Sequence, residues 1–127
     1  MSKVIIATTN APAAVGPYSQ GAHAIGKLTF LSGQLGLDPV TGVLVEPFEA
    51  QVRLAFANMS ALVAAAGGQL SDVVKLTLFV TDMAQFPIVN GIMAEVMPQP
   101  YCARSTIGVA SLPKGGHFEV EAILAIG

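Results

Sequence analysis

A long uncharged stretch, residues 54–71, is the first constraint on the fold. A membrane-spanning helix needs about 20 mostly apolar residues, whereas this stretch is interrupted by polar side chains and by glycines. Across residues 47–66 the large apolar side chains recur at spacings of three and four, which places them on one face of a helix: Phe48, Val52, Phe56, Met59 and Val63. The pattern predicts an amphipathic helix that packs on a core and ends before Gly67.

Short segments that are β-branched or alternate in polarity predict the strands, at residues 3–7, 22–25, 28–32, 73–80, 104–109 and 118–126. The pair Gly26 and Lys27 predicts a hairpin between the second and third strands, and we expect the last two to form another. Pro87 suits the first position of a second helix, which runs to residue 97. This order indicates an α+β fold, with two helices covering one face of a mostly antiparallel sheet.

The chain has 127 residues, which suits one domain over residues 1–127. Only 11% of the residues are charged and 53% are hydrophobic, against about 25% charged residues in an average soluble domain. In so apolar a chain the sheet face that the helices leave open must also be covered. We therefore expect a homo-oligomer, whose interface resembles a core cut in half.

Charge and cysteine content argue against several classes of function. The formal net charge is -2 and the Lys and Arg residues form no run, which argues against nucleic-acid binding. The single cysteine, Cys102, permits no internal disulfide and agrees with a cytoplasmic location; the apolar N-terminal stretch is too short for a signal sequence. We expect no metal site, because one cysteine and two histidines do not make a zinc site.

Arg104 is the first candidate for a functional residue, because its nearest charged neighbours in sequence are Glu95 and Lys114. A guanidinium pairs with a carboxylate through two hydrogen bonds, so Arg104 is a candidate for binding a small carboxylate. An ordinary ion pair, on the surface or between subunits, is the alternative that the residues alone leave open.

Two carboxylates near the C-terminus are the next candidates. Glu119 and Glu121 are two residues apart and share one face of a strand, where one would act as a general base or both would simply be solvated. In a tight hairpin Arg104 and Glu119 would converge over Thr106. Further candidates for lining a site, each with an ordinary structural alternative, are Tyr18, Ser32, Gly33 and Asn90; Cys102 is expected to be a buried, inert thiol.

Together these segments resemble the reactive intermediate deaminase family, also called the YjgF/YER057c/UK114 or Rid family. The motifs are spread over the whole chain: GPYSQ at residues 16–20, SGQ at 32–34, KLTLFVTD at 75–82, VN at 89–90, ARST at 103–106, LPKG at 112–115 and EVEA at 119–122. The resemblance implies a chorismate-mutase-like α+β fold and a homotrimer with ligand clefts between adjacent subunits. Met93 and Cys102 depart from the Tyr and Pro that many members have there, and residues 97–101 look shorter than in typical members.

The resemblance also implies an activity, the hydrolysis of enamines and imines such as 2-aminoacrylate, 2-iminopropanoate and 2-iminobutanoate to 2-keto acids and ammonia, without a cofactor. It implies that Arg104 holds the substrate carboxylate and that Glu119 holds or activates the attacking water. The cleft would be lined by Tyr18, Ser32, Gly33, Asn90 and Thr106. A non-catalytic trimer that binds small carboxylates is the alternative, and an endoribonuclease is a third reading that the acidic balance disfavours.

Overall fold

A computed structural model describes residues 2–127 of the chain. Its two α-helices are α1, Phe48–Ala65, and α2, Phe86–Val96. The six strands are β1, Lys3–Ile6, β2, Gly21–Ala24, β3, Lys27–Leu35, β4, Val73–Val80, β5, Ala103–Gly108, and β6, Phe118–Ile126. None of the helices in residues 2–127 is long and apolar enough to cross a membrane.

The strands form two sheets. Strands β1 and β2 pair with each other, antiparallel, and the other four form a sheet in the order β3-β6-β4-β5. In that sheet β6 runs antiparallel to both of its neighbours, whereas β4 and β5 are parallel. The fold is α+β as predicted, but its main sheet is mixed. The parallel pair follows from α2, which carries the chain from β4 back to the same end of the sheet before β5 begins.

Both hairpins predicted from the sequence are wrong. Strand β2 pairs with β1 and β3 pairs with β6, so the chain passes from one sheet to the other at Gly26. Gly26 has φ +128°, and a Cβ there would lie 2.7 Å from the backbone of Ile126, so the turn packs directly on the end of β6. Similarly, β5 and β6 are not neighbours, because β4 lies between them.

The core lies between the helices and one face of the main sheet. The predicted stripe of α1 is confirmed, since Val52, Phe56, Met59 and Val63 are buried and the ring centroids of Phe56 and Phe118 are 5.7 Å apart. Buried residues of α2 belong to the same cluster. The sheet contributes alternate residues to it: Leu76, Leu78, Val80, Phe118, Val120, Ala122 and Leu124. Both helices therefore cover one face, as expected.

The opposite face of the main sheet, which we call the open face, is not covered by any helix of residues 2–127. Residues that alternate with the buried ones point there, and large apolar side chains are exposed, among them Leu28, Ile107 and Phe30, which is 70% exposed. Polar groups are interspersed, and Lys75 Nζ donates a hydrogen bond to Ser105 Oγ over 2.9 Å. An apolar face of this kind is typical of a surface that contacts another protein.

Candidate functional site

Arg104 lies at the helix-covered side of the edge strand β5. It aligns with Leu76 of β4, whose side chain is buried beneath the helices, and paired residues point to the same side of a sheet. Its Nη1 donates a hydrogen bond to Asn90 Oδ1 of α2 over 2.6 Å. Its Cζ lies 4.6 Å from the centroid of the Tyr18 ring and 5.1 Å from that of Phe86. Two aromatic rings and one amide oxygen thus hold the guanidinium in place.

No carboxylate neutralises Arg104 within residues 2–127, where the ion pairs are those of Arg53 with Glu49 and Glu95 on the helix surfaces. Burial lowers the pKa of the Arg104 guanidinium, but an arginine remains charged in a protein. A half-buried cation without a counter-ion is a favourable place for an anion, because its charge is only partly solvated. This argues against an ion pair of Arg104 within residues 2–127 of one chain, which is one of the two alternatives that the sequence left open.

Tyr18 reaches Arg104 because the loop that carries it is bound along the start of β5. The backbone N–H of Ser19 donates to Cys102 O over 2.9 Å, and Ser19 Oγ donates to Tyr101 O over 2.6 Å. Gly16, which precedes the buried Pro17, lies close enough that a Cβ there would contact Arg104 Nη2 at 3.6 Å. The segment before β2 therefore forms one wall beside the guanidinium.

Thr106 follows Arg104 by two residues and shares its face of β5. Its Oγ1 is buried and has no hydrogen-bond partner within the part of the chain that the structure describes. A buried hydroxyl without a partner costs free energy. Thr106 therefore places an unpaired polar group on the same face of β5 as Arg104.

Glu119 lies in a second place, against β3. Its carboxylate occupies the space above Gly33, since a Cβ on Gly33 would overlap the Oε2 atom of Glu119. Ser32 and Gly33 sit where the pairing of β3 with β6 shifts, between Leu31 and Gln34. Such a shift is typical of a bulge, which lets a backbone approach a functional group closely. Ser32 is exposed beside it.

Desolvation is the main cause that raises the pKa of Glu119, and the charge of Glu121 on the same strand raises it further. A carboxylate whose pKa is raised binds a proton more readily near neutral pH than an ordinary glutamate does, which is the property required of a general base. Glu121 is itself exposed, so the like charge acts through solvent.

The two groups of candidates do not meet within one chain. Glu119 pairs with Phe79 and alternates with the buried Phe118 and Val120, so it points to the open face, whereas Arg104 points to the helix side. Two strand spacings and three residues separate them, which places their Cα atoms roughly 14 Å apart. The expectation that they converge over Thr106 is wrong, because it assumed that β5 and β6 pair.

Comparison with known proteins decides the family. The model of the family described as endoribonuclease L-PSP matches residues 8–126. The chain belongs to this family. A 2-iminobutanoate/2-iminopropanoate deaminase of Salmonella typhimurium is 44% identical, with 97% of this chain and 97% of that protein covered. A protein of the same name from Dermatophagoides farinae is 43% identical, with 98% and 97% covered. The resemblance to the reactive intermediate deaminases is thereby confirmed.

Solved structures agree with this membership of the L-PSP family. RidA from an Antarctic Psychrobacter species superposes with a TM-score of 0.78 at 46% identity, covering 97% of this chain and 99% of that one. Escherichia coli TdcF with bound serine superposes with a TM-score of 0.74 at 38% identity, covering 98% and 100%. The α+β fold with two helices and a mixed sheet is therefore the one these proteins have.

Two residues beside Arg104 in this family member were not predicted to line the site. Phe86 stacks on the guanidinium, and Met93 Sδ lies 3.6 Å from Arg104 Nη1. With Asn90 they occupy positions i, i+4 and i+7 of α2, which form one face of a helix. That spacing was visible in the sequence and would have identified them once Asn90 was a candidate.

Proposed function

We propose that this chain hydrolyses 2-aminoacrylate, in its 2-iminopropanoate form, and 2-iminobutanoate to the 2-keto acids and ammonia. The observation that carries the proposal is Arg104, a half-buried cation held by Tyr18, Phe86 and Asn90 with no carboxylate beside it in residues 2–127. Such a group fits the carboxylate of a small 2-imino acid. The relatives named 2-iminobutanoate/2-iminopropanoate deaminase support this choice of substrate.

The chemistry needs few groups. The imine carbon is already electrophilic, so neither a covalent nucleophile nor a cofactor is required, and positioning with one acid–base group is sufficient. Arg104 binds the substrate carboxylate, and Asn90 and Thr106 line the same side of the site. Glu119 takes a proton from water as the oxygen attacks the carbon, and returns it to the nitrogen, which gives a carbinolamine. Glu119 then transfers the hydroxyl proton of this intermediate to the nitrogen as the C–N bond breaks, so that the carbonyl forms and ammonia leaves. The keto oxygen of the product comes from the water.

The complete site needs two copies of the chain. Arg104 and Glu119 point to opposite faces of the sheet within one chain, so the open face of one subunit must meet the Arg104 side of its neighbour. The exposed apolar residues of the open face support such an interface. We therefore propose a homotrimer with a cleft between adjacent subunits, in which Ser32, Gly33 and Glu119 of one copy complete the site of another. A cytoplasmic location is part of this proposal, in keeping with the single, buried thiol of Cys102.

The test is the release of ammonia from 2-iminopropanoate generated in the assay, compared with the spontaneous rate. We expect Arg104→Ala to lose roughly 10²-fold or more in kcat/KM, since a charged hydrogen-bonded pair contributes about 3 kcal/mol. Arg53→Ala is the matched control, because Arg53 is an exposed arginine paired with Glu49 and Glu95, and it should keep the parental rate. Equal rates for the parent and Arg104→Ala would refute the assignment.

A non-catalytic carboxylate binder is the second candidate, and the TdcF structure with bound serine is the observation that favours it. Both candidates predict that Arg104→Ala weakens binding of a 2-keto acid, but only the enzyme accelerates ammonia release. Glu119→Gln keeps the shape of the side chain and removes the base, so it should retain ligand binding and lose turnover. If the parent binds 2-ketobutanoate and never exceeds the spontaneous rate, the binder is the correct reading.

A further inference from the structure

Gln51 of α1 is a buried polar side chain, 3% exposed, that the proposed reaction does not use. Its Oε1 accepts a hydrogen bond from the backbone N–H of His117 over 3.0 Å. His117 directly precedes β6, and Glu119 is the second residue of that strand. A buried amide that lacks partners is costly, so this bond fixes where the chain enters β6.

The backbone of Gln51 also contacts the other strand of the Glu119 site. Gly36 follows β3 directly, and a Cβ at Gly36 would lie 2.6 Å from both the Cα and the O of Gln51. Only glycine permits this approach. One residue of α1 therefore contacts the residue after β3 through its backbone and the residue before β6 through its side chain. Both contacts lie just beyond Leu35 and Glu119, the last pair of the β3–β6 ladder.

Thr81, the residue directly after β4, holds His117 from the other side. Its N–H donates to His117 O over 3.2 Å, and its Oγ1 lies within hydrogen-bond distance, 2.9 Å, of His117 Nδ1. The N–H, the C=O and the ring of His117 are thus all engaged. Gln51 and Thr81 therefore both bond to His117, just before β6 begins.

The carboxylate of Glu119 forms no hydrogen bond within residues 2–127, and its Oε2 lies in the space above Gly33. Its direction therefore depends on the backbone of β6. We propose that Gln51 is a positioning residue for Glu119: by fixing His117 relative to Gly36 it holds the carboxylate over Gly33 at the place from which it reaches the water. This inference rests on the proposed function, in which Glu119 transfers the proton.

Gln51→Leu tests the inference, because leucine has a similar volume and no acceptor. We expect kcat for 2-iminopropanoate to fall about tenfold, since small displacements of a reacting group cost one to two orders of magnitude. KM should change less than twofold, because the Arg104 side is untouched. The decisive measurement combines Gln51→Leu with Glu119→Gln: if Gln51 acts through Glu119, its substitution produces no further loss of kcat in the Glu119→Gln background.

The controls separate positioning from general loss of stability. Ser2→Ala removes the hydrogen bond between Ser2 Oγ and Asp72 Oδ1, which lies beyond the other end of β4, and should lower Tm while leaving kcat unchanged. Thr81→Val removes the bond to the His117 ring with little change in volume and should lower kcat with KM unchanged. It replaces Gln51→Leu as the test if Gln51→Leu does not fold.

The inference is overturned if Gln51→Leu lowers kcat equally in the parent and in the Glu119→Gln background, or if Gln51→Leu keeps the parental kcat. If instead Glu119→Gln keeps full kcat, Glu119 does not transfer the proton, and the role of Gln51 fails with that assignment. The proposed function itself fails only if the parent does not exceed the spontaneous rate of ammonia release.

Discussion

The Oε2 atom of Glu119 lies over the Cα of Gly33, in the space that any side chain at position 33 would occupy. The two residues belong to β6 and β3, and the shift in register between Leu31 and Gln34 brings the glycine beneath the carboxylate. The backbone of Gly33 does not have the positive φ that would by itself favour glycine. The glycine is therefore required by the space that Glu119 needs, and not by the conformation of the chain.

Gly33→Ala is therefore expected to displace Glu119 while leaving the backbone conformation allowed. We expect kcat to fall at least tenfold, because misplacing a reacting group by about 1 Å costs up to 10²-fold. The free energy of unfolding should fall by about 1–3 kcal/mol from overpacking. Kinetics of ammonia release and urea unfolding measure the two effects.

Gly91→Ala is the control for this substitution. No atom lies within 4 Å of the position of its Cβ, and Gly91 is inside α2. Alanine there should raise the free energy of unfolding by about 0.5–1 kcal/mol and leave kcat unchanged. A fully active Gly33→Ala protein would show that Glu119 does not need its present position.

Phe86→Leu is expected to weaken binding of the substrate carboxylate and to leave the proton transfer intact. The ring centroid lies 5.1 Å from Arg104 Cζ, and a partly buried contact of this kind contributes about 1 kcal/mol. KM should therefore rise roughly fivefold at nearly constant kcat. Phe86→Tyr keeps the ring and should keep the parental KM. If both substitutions raise KM equally, the aromatic contact is not the cause.

The helices and strands can be predicted from the sequence because their signals are local. The apolar stripe from Phe48 to Val63 and the alternation in β4 follow from the periods of a helix and a strand, and both are confirmed by the burial of Val52, Phe56, Leu76 and Leu78. The pairing of the strands does not follow from such local signals. Strands that are neighbours in sequence most often pair, whereas β6 inserts between β3 and β4 and forms contacts distant in sequence.

The candidate site, like the fold, can be predicted from the sequence only in part. Arg104 was found because charge is scarce around it, and its contact with Asn90 and Tyr18 agrees with their selection together. The relation between Arg104 and Glu119 could not be predicted, because the face to which each points depends on β4 lying between their strands. Gly33 is an example. The sequence shows a glycine at the end of a predicted strand, but only the structure shows that the carboxylate of Glu119 lies above it.

Glu121→Gln should move the acid limb of the kcat profile to lower pH. Desolvation first, and the charge of Glu121 second, raise the pKa of Glu119. Glu119 must be ionised to take a proton from water, so activity should appear only as the pH rises through that raised pKa, above the ordinary value of about 4.3. Removing the charge of Glu121 lowers the pKa, but burial keeps it above the ordinary value.

The measurement for this prediction is kcat between about pH 4 and 8, corrected for spontaneous hydrolysis. Glu46→Gln, which removes an exposed charge just before α1, is the control and should leave the limb in place. A limb that does not move with Glu121→Gln, or that moves to higher pH, would mean that another group titrates.

Cys102 is expected to be unreactive in the native protein and dispensable for catalysis. The thiol is buried, and burial raises its pKa to about 11, so only about one thiol in 10⁴ is ionised at pH 7. Because the thiolate is the nucleophile, a disulfide reagent such as DTNB should react slowly with the folded protein and rapidly after unfolding in guanidinium.

Cys102→Ala should keep kcat within about twofold, because residue 102 contacts the Tyr18 loop through its backbone O, which accepts from the N–H of Ser19. The free energy of unfolding should fall by about 1 kcal/mol because the substitution leaves a small cavity. Rapid labelling of the native protein would show that the thiol is accessible or ionised and would contradict the first expectation. Loss of turnover in the folded Cys102→Ala protein would indicate that the thiol takes part in the reaction and that the division of roles between Arg104 and Glu119 is incomplete.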